Sequence, residues 1–256
     1  MRTSPKKDLV FLGLALAGLA LGTVVAPAHA GMITYVTPTG STAGGQPVDA
    51  SVTFTTSANT LTIVLNNLQA NPKSVVQALS DLSFTLGNGG SLTGATQTGA
   101  MSQEITVNGN GTFSLGANLT TVAAVGWPFT VNSATDGTLE VLSGPGHAGP
   151  AHLIIGPPGA GGTYSNANGS IAGNGPHNPF LNQSVTFTIT GSGIAADTTI
   201  TSATFSFGTT SGVNVNGVQG PGVVPEPSSF VLALCGIGGV VLVGSFRSRR
   251  RPAVAA

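Results

Sequence analysis

Between residues 31 and 208 the chain repeatedly places apolar side chains at every second position. Val52 and Phe54 alternate with Ser51, Thr53 and Thr55. After the turn-forming Ser57-Ala58-Asn59, Leu61, Ile63 and Leu65 alternate with Thr60 and Thr62. Successive side chains of a strand point to opposite faces, so this pair predicts a β-hairpin with one buried face. The same rhythm recurs at Leu82, Phe84 and Leu86, at Val185, Phe187 and Ile189, and at Ala203, Phe205 and Phe207. Weaker strands are expected at 33–36, 104–107, 138–142 and 153–155. No long stretch carries helical periodicity, and the one short helix expected lies around 72–79. About nine to eleven strands with polar outer faces predict an all-β domain over 31–208. The expected architecture is an antiparallel β-sandwich of jelly-roll or immunoglobulin-like type.

Breaks in the pattern divide the domain. Gly and Pro supply sixteen of the 38 residues of 143–180, so this stretch is expected to be loop except at 153–155. A second irregular patch is expected at 87–99, and a flexible linker at 209–222.

The two ends of the chain read differently. Arg2, Lys6 and Lys7 precede an apolar stretch from 9 to about 25, and Ala28-His29-Ala30 follows. A basic flank, an apolar run and small residues at this spacing predict a signal peptide over 1–30. Signal peptidase would recognise Ala28 and Ala30 and leave Gly31 as the new N-terminus. At the other end, residues 230–246 hold no charge, and Arg247, Arg249, Arg250 and Arg251 follow at once. Seventeen residues make roughly 25 Å of helix, near the hydrocarbon thickness of about 30 Å, and the arginines predict a cytoplasmic stop. A transmembrane helix is therefore expected at 230–246. Positive charge at both outer flanks places 31–224 across the membrane. Before the apolar run, Pro225 and Pro227 bracket Glu226. Each proline fixes its own φ and steers the preceding residue away from helix, so the segment is expected to be extended and exposed.

Val224-Pro225-Glu226-Pro227, an apolar span and a terminal arginine cluster, in that order, resemble the PEP-CTERM sorting signal of bacterial exported proteins. The resemblance covers the tail, 223–256. It implies recognition and cleavage by a membrane-embedded exosortase, an inner-membrane intermediate, and delivery to the cell surface or extracellular matrix. Exopolysaccharide or other matrix components are the partners it suggests. In this likeness Val224, Pro225, Glu226 and Pro227 match the sorting motif, and Arg247, Arg249, Arg250 and Arg251 match the basic end.

Composition narrows what the β domain does. Charged residues are 6% of the chain, against about 25% in ordinary soluble domains. Between 31 and 224 Lys73 is the only basic residue against six acidic ones, a net charge of −5, which argues against nucleic-acid binding. The only cysteine, Cys235, lies in the apolar span, so the exported domain holds no disulfide of its own.

Candidate chemistry is sparse. His147, His152 and His177 share the Gly/Pro-rich stretch, but their spacing matches no zinc motif and no acidic ligand lies within it. The run 156–162 is glycine-rich yet lacks the Lys-Ser/Thr of a phosphate loop. Asp136 and Glu140 could in principle form a glycosidase pair, but four residues of strand separate them by roughly 13 Å. Calcium binding by the Asp/Asn/Gly turns stays open, since no EF-hand pattern is present. Sugar-binding modules stack rings on exposed aromatics, and this domain offers Trp127, Tyr35 and Tyr164. No cofactor, metal site or catalytic residue is expected. The reading is a non-enzymatic, exported surface or matrix protein of structural or adhesive role. The alternative is a secreted carbohydrate-binding or carbohydrate-active domain, marked by an aromatic groove at Trp127 or Tyr164.

Overall fold

Where alternation is strict, the burial of the chain follows it residue by residue. The computed structural model describes residues 31–210 and 212–220. The expected signal peptide and the tail with its 230–246 helix lie outside the described residues. Among the described residues no helix is long and apolar enough to cross a membrane.

The chain forms β1 (Gly31–Val36), β2 (Thr42–Ala43), β3 (Gln46–Pro47), β4 (Ala50–Ser57), β5 (Thr60–Asn67) and β6 (Leu79–Gly87). There follow β7 (Thr96–Val107), β8 (Phe113–Leu119), a four-residue helix α1 (Val122–Val125), β9 (Phe129–Val131) and β10 (Asp136–Glu140). The last strands are β11 (Ile154–Ile155), β12 (Phe180–Asn182), β13 (Ser184–Thr190), β14 (Thr199–Phe207), β15 (Asn214–Asn216) and β16 (Val218–Gln219). The fold is all-β, as the alternation requires. Its β4–β5 hairpin pairs Ser57 with Thr60 across Ala58-Asn59. Asn59 takes φ 60°, a left-handed conformation that Asn tolerates better than most residues.

One large sheet runs in the order β15-β14-β6-β11-β12-β7-β13-β5-β4-β1-β16. It folds over itself in a sandwich-like way at two places. The first is the long strand β7. Residues 96–101 of β7 pair with β13, while Glu104 and Ile105 pair with β12 and 102–107 pair with β8. The second is the segment 214–219. Its β15 half pairs with β14 and its β16 half with β1, and Gly217 lies between them. The two ends of the strand order are thereby joined. A Cβ on Gly217 would sit 3.0 Å from the Ala203 carbonyl oxygen and 3.0 Å from the Phe205 ring, so the crossing has no room for a side chain. Tyr35 Oη donates to the Ile200 carbonyl at 2.8 Å and stitches β1 to β14 along the same seam.

The core fills the space between the facing halves. The Phe54 ring of β4 lies 5.3 Å from the Phe84 ring of β6, and Trp127 lies 5.9 Å from Phe187 of β13. Burying each side chain of this size is worth about 1.5–3 kcal/mol, and stability must come from such packing. The buried amide of Asn67 ties three segments together. Its Nδ2 donates to the carbonyls of Gln77 and Ile154, both at 2.8 Å, and its Oδ1 accepts from the Gln69 amide at 3.0 Å.

Five expectations need correction. The sheet is not wholly antiparallel, because β11 and β12 run parallel. Parallel neighbours need a long connection, and the Gly/Pro-rich loop between them provides it. That loop is also not merely loop: Tyr164 and Ile171 are buried in the core. Backbone bonds from Tyr164 to Gly111, Asn168 to Lys73 and Gly173 to Val107 pin it down. Within the irregular patch 87–99, residues 96–99 belong to β7, and bulge formation opposite Thr188 and Ile189 absorbs their broken pattern. The linker 209–222 contains β15 and β16, whose pairing is decided by distant strands. The helix around 72–79 is only a 3-10 turn at Val75–Gln77, where the Gln77 side chain accepts from the Lys73 and Ser74 amides.

Candidate functional site

The fold delivers the tail at a defined place. β16 runs antiparallel to β1, with Tyr35 opposite Gln219 and Val36 opposite Val218. The Gly220 amide then donates to the Thr34 carbonyl at 2.9 Å. β16 thus runs toward the Gly31 end of β1. Gly31 and Thr34 are three residues apart, about 10 Å along a strand. The residue that follows the expected signal peptide and the residue that leads to the tail therefore emerge side by side. Gly31 is itself built into the sheet, opposite Thr56, with its amide donating to the Ala196 carbonyl at 3.2 Å. Ala28, Ala30, Val224, Pro225, Glu226, Pro227, Arg247, Arg249, Arg250 and Arg251 lie outside the described residues.

Residues 223–251 match the protein family described as PEP-CTERM protein-sorting motif. The chain carries a PEP-CTERM sorting signal. The signal marks it as an exported protein that passes through a membrane-associated stage and is addressed to an exosortase. The PEP-CTERM match spans a small part of the 256 residues and assigns nothing to the β domain. No curated protein and no solved structure matches the chain.

Within the domain the candidate side chains serve the fold. The aromatics that could have stacked on sugars are buried. Trp127 is fully enclosed, and its Nε1 donates to the His152 carbonyl at 2.8 Å. Tyr164 Oη donates to the Gly156 carbonyl at 3.0 Å, and burial raises its hydroxyl pKa. Tyr35 is buried at the seam, with its pKa raised for the same reason. Among the described residues, neither Trp127 nor Tyr164 presents its ring to solvent. The glycine-rich run 156–162 is a packing element. A Cβ on Gly156 would lie 2.1 Å from the Gln69 carbonyl oxygen, and the Asn71 amide donates to the Pro157 carbonyl at 2.8 Å.

The acidic pair is held in two unlike settings on the outer face of β10. Hydrogen bonds from Ser133 and Thr85 hold the half-buried Asp136 carboxyl below the usual carboxylate range. Glu140 stands directly opposite Asp81 of β6. Burial first, and the neighbouring Glu140 charge after it, push the Asp81 carboxyl up to about 6, against hydrogen bonds from Ser83 and Ser206 that oppose the rise.

The three histidines are not brought together. His177 Nδ1 lies 2.6 Å from the Ser170 carbonyl oxygen. His152 places Nδ1 3.0 Å from the Val125 carbonyl oxygen and Nε2 3.2 Å from Glu104 Oε1. His147 Nε2 lies 3.3 Å from Glu140 Oε1. Among the described residues no three His, Cys, Asp or Glu side chains form a ready metal cluster. The sequence reading missed the two His–Glu pairs because each glutamate comes from a strand outside the Gly/Pro-rich stretch. Nothing in local spacing could have paired them.

Proposed function

We propose that the chain is a non-enzymatic structural or adhesive protein of the cell surface or extracellular matrix. Signal peptidase frees it at Gly31, and an exosortase then handles the tail at Val224-Pro225-Glu226-Pro227. The observation that carries this reading is the sorting signal attached almost directly to a closed β domain. From Gly220 to Pro225 five residues reach at most about 18 Å. The domain is thus held close to the membrane while the tail anchors it. The side-by-side exit of both flanks supports a topology in which both terminal segments are membrane-directed. The uncharged Ser/Thr rows on the outer faces suit a matrix component, with exopolysaccharide as one partner. We also propose a sandwich of the jelly-roll or immunoglobulin-like kind, with its edges joined through 214–219.

The test is the intact mass of the protein recovered from the cell surface or culture fluid. It is compared with a variant in which Pro225, Glu226 and Pro227 are all alanine. The expected wild-type product begins at Gly31 and lacks the apolar span and arginines, while the variant keeps both and stays in the membrane. If both proteins keep residues 230–256, the tail is an ordinary anchor and the reading fails.

A further inference from the structure

The loop that follows β10 sets one imidazole against the Glu140 carboxylate. His147 is 9% exposed, and neither ring nitrogen has a hydrogen-bond partner. Leaving a polar group of this kind buried and unpaired is unfavourable. Nε2 nevertheless lies 3.3 Å from Glu140 Oε1, within ion-pair reach but without forming a hydrogen bond. Gly144 closes the other side of the ring: a Cβ there would lie 3.0 Å from Cε1 and 3.2 Å from Nδ1. Glu140, in turn, is directly opposite Asp81. Like charges opposite each other on neighbouring strands destabilise a sheet. Lys73 is the only lysine or arginine between residues 31 and 220, and it sits in the chain before β6, bonded through its carbonyl to Asn168.

The 3.3 Å separation matches that of two ligands sharing one ion. Nitrogen and oxygen atoms bound at about 2.0–2.1 Å to a tetrahedral zinc-type ion lie roughly 3.3–3.4 Å apart, with each lone pair tilted roughly 35° off the line between them. A hydrogen bond would demand alignment, whereas ligation demands the offset. We infer that His147 Nε2 and Glu140 bind a divalent zinc-type cation on the outer face of β10, with Asp81 facing them across the strand pair. The cation would satisfy the orphaned imidazole and offset the Asp81–Glu140 repulsion. Water completes its coordination, since only two side chains reach it as they stand. Two protein ligands give micromolar rather than tighter affinity. The bound ion fastens the start of the long loop, at 144–149, to the sheet.

The test is calorimetric titration of Zn²⁺ into the full chain, purified in detergent without a histidine tag. It is paired with cobalt substitution, read by the intense visible absorption of a tetrahedral site. The expected result is one saturable site, weakened at least tenfold in both His147→Ala and Glu140→Gln. Thermal unfolding in chelator checks that both variants are folded. Should His147→Ala fail to fold, the near-isosteric Glu140→Gln decides. Absence of saturable binding by the wild type overturns the inference, and so does wild-type affinity in the folded variants.

Discussion

Asp81 gives the sharpest quantitative consequence of the fold. It sits on the outer face of β6 between Glu140 of β10 and Ser206 of β14. Burial and the Glu140 charge raise its carboxyl from an ordinary 3.8 to about 6. The folded protein therefore holds a proton that the unfolded chain releases between those values. The sign follows from linkage: the folded state binds more protons, so stability falls as pH rises from 3.8 through about 6. A rise of this size corresponds to about 3 kcal/mol at about 1.4 kcal/mol per pH unit, and partial solvation of the carboxylate trims this to about 2 kcal/mol. Asp81→Asn keeps the shape and an acceptor for Ser83 while removing the charge. At pH 7 the variant should be more stable than wild type by about 2 kcal/mol, or about 4–8 °C in Tm for a domain of this size. At pH 4 the two should coincide. The assay is thermal or urea unfolding of the mature protein across pH 4–7 in chelator, which keeps metal out of the comparison. A variant that is less stable at pH 7, or equally stabilised at pH 4 and 7, would refute the reasoning.

Two further predictions concern the joints of the sheet. Asn67→Asp replaces the two donations to the Gln77 and Ile154 carbonyls with a carboxylate facing those oxygens, and should cost about 3 kcal/mol or more in urea unfolding at pH 7. Gly217→Val forces a side chain against the Ala203 carbonyl and the Phe205 ring, and should cost about 1–3 kcal/mol. Its signature is faster hydrogen exchange at the Gly217 and Gly220 amides, which bond to Ala203 and Thr34, with little change in the β4–β5 hairpin.

Much of this protein was readable from local pattern. Strict alternation at 52–54, 61–65, 82–86, 185–189 and 203–207 appears as buried rows of β4, β5, β6, β13 and β14. Period two is a property of the strand itself, so a half-buried strand announces its faces in sequence. The four-residue helix was legible too, though missed: Thr121 Oγ1 accepts from the Ala124 amide, and Gly126 closes the turn with φ 70°. The sorting tail was equally local, because Pro225-Glu226-Pro227, an apolar run and an arginine cluster can be read without a tertiary partner.

What the tertiary structure decided is everything that depends on which strands become neighbours. Alternation assigns faces and not partners, so the parallel β11–β12 pair and the two-way pairing of β7 left no trace in the sequence. Short strands such as β15 and β16 carry too few residues for a pattern, and the edges of β14 and β1 recruit them into the seam. The same holds for His147 and Glu140, where strand order and a folded loop create the contact. Sequence alone specified that this chain carries a sorting signal and that its domain is built from strands. Long-range pairing determined how the sheet closes, where the tail leaves it, and which polar groups it brings together, because those depend on the free energy of the whole packed molecule.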